Sequence, residues 1–141
     1  MSGLSTSAMD KRPFKGKGGS EGMSQWVLEW QSRNARALDR VIRDMEAVAQ
    51  ESKKMPGNQW YLYLHYRKDT GQYFLMWRSY GARKHVHVSW DRMQGMLERM
   101  DESVRTHYAE VNLMAQLLNA KEKAARTALN LAKGLLHEHE S

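Results

Sequence analysis

Two periodicities divide this chain. Between Trp60 and Arg67 the side chains alternate: Trp60, Leu62, Leu64 and Tyr66 fall on one face of a strand, and Tyr61, Tyr63, His65 and Arg67 on the other. Lys68-Asp69-Thr70-Gly71 is turn chemistry, a type I turn closed by Gly in the left-handed conformation, which predicts a bulged hairpin. Tyr73 to Ser79 returns as a second strand. Past Tyr80-Gly81-Ala82, His85 to Trp90 makes a short third, with Val86, Val88 and Trp90 on one face. With Gly71 as the bulge, Lys68 faces Gln72, Tyr66 pairs with Phe74, Leu64 with Met76 and Tyr63 with Trp77. One face is then Trp60, Leu62, Leu64, Tyr66, Phe74, Met76, Val86 and Val88, suited to a core against helices. The other carries Tyr61, Tyr63, Tyr73, Leu75, Trp77, His65, His85, His87 and Arg67. A two-residue turn at Thr70-Gly71 slips the register by one and moves Leu75 and Trp77 into the core instead.

On both sides of this meander the spacing changes to three and four. Ser20 is an N-cap for a helix from about Glu21 to Lys54, whose apolar positions are Met23, Trp26, Val27, Trp30, Ala37, Leu38, Val41, Met45 and Val48. Met55-Pro56-Gly57-Asn58 stops it. After Trp90 a near-continuous heptad seam runs through Met93, Leu97, Met100, Val104, His107, Val111, Met114, Leu118, Ala125, Ala128, Ala132 and Leu135. An unbroken helix of that length would reach roughly 65–70 Å, too long for one small domain. A break near Asp101-Glu102-Ser103 gives a short helix and then a long one, because Asp and Ser cap new helices. The alternative is a coiled coil with a partner chain. The expected fold is α+β: a long N-terminal helix, a three-stranded antiparallel meander, then a short and a long C-terminal helix. Residues 1–22, rich in Gly, Ser and Lys, read as a flexible basic arm, and 23–141 as one domain.

Charge adds a partner class. The chain has 141 residues, 22 Lys and Arg against 16 Asp and Glu, and a formal charge of +6; its isoelectric point near 9.7 favours an acidic partner, nucleic acid first. The absence of Cys removes disulfides, thiolate metal sites and a cysteine nucleophile. Met1–Gly22 has no apolar run like that of a signal peptide, and no stretch reaches the ~20 apolar residues of a membrane span. A cytoplasmic protein without membrane contact is expected.

The basic residues are placed as well as counted. Arg33, Arg36, Arg40 and Arg43 recur at three, four and three residues, one side of the first helix, where a row of guanidinium groups can track a phosphate backbone. Ion pairing with Asp39, Asp44 and Glu46 is the alternative use of that face. Lys15 and Lys17 lie in the tract Pro13-Phe14-Lys15-Gly16-Lys17-Gly18, which lacks the G-x-x-x-x-G-K-[ST] pattern of a phosphate loop. From Trp60 to Trp90 stand Arg67, Lys68, Arg78, Arg83 and Lys84 against one acid, Asp69. Cations interleaved with aromatics on a sheet hold single-stranded nucleic acid, rings stacking on bases and cations meeting phosphates. Tyr61, Tyr63 and Trp77 are the stacking candidates. If helices cover both faces, the same three are core. His65, His85 and His87 share a face in the bulged register, but no HExxH and no nearby carboxylate makes them a metal site, and His137-Glu138-His139 reads as a helix tail. No paired acids, Ser-His-Asp arrangement or dinucleotide loop stands out, so no catalytic residue and no cofactor is expected.

These motifs resemble a family of proteins carried by bacterial integrative and conjugative elements, some of whose members are labelled integrase regulator R. The likeness rests on Pro13-Phe14-Lys15-Gly16-Lys17-Gly18 before a Trp-containing helix, on Thr70-Gly71-x-x-Phe74-Leu75-x-Trp77-Arg78, and on Val111-Asn112-Leu113-Met114-Ala115-Gln116-Leu117-Leu118. A more basic third strand, with no Pro-rich link after it, departs from the family pattern. The resemblance implies a mobile-element setting, and with the charge it gives the expected function. That function is a DNA-binding accessory or regulatory protein acting in transfer, maintenance or integrase control, on single- or double-stranded DNA. The rival expectation is an interaction adaptor whose long C-terminal helix pairs with itself or with another mobile-element protein.

Overall fold

The computed structural model describes residues 19–54, 59–81 and 86–140. Within them the fold is the expected α+β: helix α1 (Gly19–Ser52), strands β1 (Trp60–Arg67), β2 (Gln72–Ser79) and β3 (Val86–His87), helix α2 (Trp90–Leu97) and helix α3 (Glu102–Glu140). The sheet is antiparallel in the order β1-β2-β3. Helix α1 begins at Gly19, so Ser20 lies inside it rather than capping it. The third strand is two residues long, because the Ser89 hydroxyl accepts the Arg92 N–H at 3.2 Å and opens α2 at Trp90. The break before α3 falls where expected: the Asp101 carbonyl accepts the N–H groups of Val104 and Arg105, both at 3.0 Å. Lys15, Lys17, Arg83, Lys84, His85 and the Pro56 helix stop lie outside the described residues.

The hairpin register differs from the bulged one. All four residues Lys68 to Gly71 form the loop: Gly71 sits at φ 74 and its N–H donates to the Arg67 carbonyl at 2.8 Å, so Arg67 faces Gln72. Leu62 then pairs with Trp77, Leu64 with Leu75 and Tyr66 with Tyr73. The slip is one residue, so β2 turns over entirely. Leu75 and Trp77 enter the core with Trp60, Leu62 and Val88, while Phe74 and Met76 move to the other face, and Val86 is exposed. This is the core the shorter turn also gave, reached through a four-residue loop. Packing decides it: the Trp77 ring lies against Tyr108 (5.7 Å between centroids) and Trp90 (6.3 Å), and its indole N–H donates to Asn112 Oδ1 at 2.9 Å. A buried indole needs such an acceptor.

Both long helices lie on this inner face. Val41, Met45 and Ala49 of α1 meet Ala115 and Leu118 of α3 and the sheet. The apolar stripe of α1 is buried only in its C-terminal half, for Met23 and Trp26 are exposed. The heptad seam of α3 is satisfied within the chain only in part, since His107, Met114 and Leu135 are exposed. Leu118, Ala125 and Ala132 are buried and Val111 half-buried, so these four positions are covered from within the chain.

Helix α3 also closes an edge of the sheet. Strand β3 pairs only with Arg78 and Ser79, and the Val88 N–H extends it to the Trp77 carbonyl at 3.0 Å, which leaves the β2 edge from Tyr73 to Leu75 without a strand. Two side chains of α3 take its place. Asn119 Oδ1 accepts the Leu75 N–H at 2.7 Å, and Asn119 Nδ2 donates to the Leu75 carbonyl at 3.1 Å, as a neighbouring peptide would. Glu122 Oε2 accepts the Tyr73 N–H at 2.9 Å and the Arg126 Nε–H at 3.0 Å. Asn112 holds Trp77. On the opposite edge, buried Ser52 accepts the Leu62 N–H at 2.8 Å and donates to the Ala49 carbonyl at 2.6 Å, tying the end of α1 to β1.

Two outcomes follow. Asn119→Ala strips Leu75 of both partners, and each unsatisfied backbone group costs about 1–3 kcal/mol. Urea titration should show a loss of about 2–4 kcal/mol at unchanged m, while Asn130→Ala, at an exposed position of the same helix, moves little. Burial pushes the Tyr108 phenol above its usual value of 10.0, against hydrogen bonding to the backbone at Gln59 and Trp60. A phenol that keeps its proton longer when folded supports the fold fully below the unfolded value and less as pH rises past it. Stability should therefore fall above pH ~10, and less steeply in Tyr108→Phe.

Candidate nucleic-acid interface

The outer face of the sheet carries Tyr61, Tyr63, His65 and Arg67 from β1, Gln72, Phe74, Met76 and Arg78 from β2, and His87 from β3. Among the described residues no helix packs on it, since α1 and α3 share the inner face. Strand alternation alone puts these side chains on one surface, and the hairpin register sets which of them are diagonal neighbours.

Two of those diagonals pair a cation with a ring. The Arg78 guanidinium carbon lies 3.6 Å from the Tyr63 ring centroid, and that of Arg67 lies 5.1 Å from Phe74. His65 stands between them, 5.0 Å from Phe74 and 6.2 Å from Tyr63 between centroids. Tyr63 is 37 % exposed and Arg67 is exposed, with His65, Phe74, Met76 and Arg78 half-buried. Guanidinium over an aromatic face is favourable by about 0.5–1 kcal/mol at exposed sites. The surface thus presents aromatic rings with guanidinium groups set over them, with no carboxylate among these nine residues.

The expected stacking residues divide. Tyr63 lies on the outer face and is exposed. Tyr61 shares the outer face but is buried, its ring 4.7 Å from that of Tyr80 and under Lys53 Nζ at 5.9 Å. Trp77 is 4 % exposed and belongs to the core, because the one-residue slip turned it inward. Phe74 takes its place. The same slip hid Phe74 from the sequence, although its alternation with Met76 and Arg78 was the available signal.

Arg33, Arg36, Arg40 and Arg43 are all exposed, and among the described residues none is ion-paired to a carboxylate. At 3.6 residues per turn they point away from Val41, Met45 and Ala49, the buried side of α1. The helix row and the sheet face therefore lie on opposite sides of the two-layer fold, not on one surface. Among the described residues no three His, Cys, Asp or Glu side chains gather as metal ligands. His65 and His87 are separated by the width of β2. No helix of the described residues is long and apolar enough to cross a membrane. Neither a protein-family model, nor a curated protein, nor a solved structure matches this chain.

The division predicts opposite stabilities. Trp77→Ala should cost ~3–5 kcal/mol, as for a buried aromatic, whereas Tyr63→Ala should stay within ~1 kcal/mol. Chemical denaturation of the two variants side by side checks this.

Proposed function

We propose that this protein binds nucleic acid through the outer face of its sheet, as an accessory or regulatory protein of a conjugative plasmid or integrative element. The observation that carries the binding is the pairing of Arg78 with Tyr63 and of Arg67 with Phe74 on a face that no described helix covers. Bases stack on rings whatever their sequence, and cations beside the rings meet the phosphates that come with the bases. A flat surface of this kind favours unstacked, single-stranded DNA, whose bases are free to lie on it. The exposed row Arg33, Arg36, Arg40 and Arg43 offers a second, purely electrostatic footprint on the other side of the fold. The mobile-element setting takes its support from the sequence resemblance.

Fluorescence anisotropy with single- and double-stranded oligonucleotides of one length, across a salt series, tests the assignment. Tyr63→Ala and Phe74→Ala should each weaken single-strand binding by ~1–3 kcal/mol while the salt slope is kept. Arg67→Gln with Arg78→Gln should flatten the slope, because each lost phosphate contact removes counterion release. Changing the four α1 arginines to Gln should flatten it further for duplex than for single strand. Single-strand affinity unchanged in a folded Tyr63→Ala, Phe74→Ala double variant would refute the sheet assignment. A second reading, the interaction adaptor, is favoured by a separate observation on α3.

A further inference from the structure

On the side of α3 turned away from the sheet, Leu113, Leu117, Leu131 and Leu135 remain 46 to 66 % exposed, with Ala124 at the rim of the groove that α3 forms with Asn34, Ala37 and Arg40 of α1. Ala120 and Ala124, also exposed, and half-buried Ala128 fill the run between them. The run is a palindrome about Ala124. Ala120 and Ala128 stand four residues to either side, Leu117 and Leu131 seven, and Leu113 and Leu135 eleven. At 3.6 residues per turn those steps all return within about 40° of one direction, so the seven side chains form one stripe.

We infer that this stripe pairs with the same stripe of a second copy of the chain, antiparallel, about a two-fold axis at Ala124. An isologous interface requires that residue i meet j while j meets i. Antiparallel pairing satisfies this: Leu113 meets Leu135, Leu117 meets Leu131, Ala120 meets Ala128, and Ala124 meets itself. Leucines pack at both ends, and the alanines allow the axes to approach toward the short end of the usual 8–10 Å. A parallel heptad seam would pass through Thr127 and Gly134 in place of Ala128 and Leu135, which leaves Leu131 as the one large apolar contact of its last turns. An unrelated partner would not need the symmetry.

The stripe is about 33 Å long and about 10 Å wide, roughly 330 Å² a side against the ~800 Å² of a standard interface. Association is therefore weak and concentration-dependent. Each copy carries a formal +6, so screening tightens the dimer as salt rises, the reverse of nucleic-acid binding. The inference does not rest on the sheet face, and either can fail alone.

Cysteine cross-linking tests it in the full chain, which has no cysteine of its own. Under mild oxidation Ala124→Cys should form a disulfide dimer of twice 16.4 kDa, as should a mixture of Leu113→Cys with Leu135→Cys. Leu113→Cys alone should not, because its two copies lie about 33 Å apart and a disulfide spans no more than ~7 Å between Cα atoms. Sedimentation of the unsubstituted protein should show a mass rising with concentration, abolished by Ala124→Glu at unchanged helicity. Cross-linking of Leu113→Cys alone as readily as Ala124→Cys would overturn the antiparallel axis, and a monomer at high micromolar concentration in raised salt would overturn the dimer.

Discussion

The fold depends on how α3 treats the edge of β2. A three-stranded sheet whose third strand covers two positions has unpaired N–H and C=O groups along its second strand, and buried groups of that kind destabilise a small domain heavily. Here they are met by Asn119 and Glu122, projecting from one side of a helix. Asn112 and Asn119 are seven residues apart and so share a helical direction, with Ala115 and Leu118 packing beside them. One helix therefore supplies both the apolar layer under the sheet and a polar substitute for a fourth strand. Glu122 is fully buried and its Oε1 has no hydrogen-bond partner among the described residues, so the Tyr73 N–H and the Arg126 guanidinium both converge on Oε2.

Closing the edge in this way has a consequence for the other face. Because α1 and α3 are both committed to the inner side, described helices leave Tyr63, Phe74, Arg67 and Arg78 uncovered. The positive charge is distributed over separate surfaces, one aromatic and one a bare arginine row. In the proposed binding the first would hold bases and the second only phosphates, a distinction that salt dependence reads directly. The exposed leucines of α3 form a further surface, whose proposed self-pairing would respond to salt in the opposite sense.

Much of the architecture was legible in the sequence. Alternation from Trp60 and three-and-four spacing on both sides are strong periodic signals, and Asp101 marked the helix break because its cap chemistry is local. Register was not legible, since three loop lengths between Arg67 and Tyr73 all have acceptable turn chemistry. The choice among them is made by tertiary packing, namely what Trp77 and Leu75 meet inside. That single residue of slip exchanged Trp77 for Phe74 at the candidate interface. The roles of Asn112, Asn119 and Glu122 were hidden for another reason. A polar residue beside a heptad seam looks like a solvated flank unless the strand edge it must satisfy is already known. The seam was read correctly at Val111, Leu118, Ala125 and Ala132, which pack within the chain, and not at His107, Met114 and Leu135, which are exposed.

Amide hydrogen exchange at Tyr73 and Leu75 measures the central interaction most directly. Neither amide has a strand beyond it, yet each is held by an α3 side chain. Both should be protected to the level of the β1–β2 ladder, near the global unfolding limit, and lose protection together with the core. Exchange at the rate of the Lys68–Gly71 loop would mean that the edge of β2 is open to water, and that α3 does not complete the sheet.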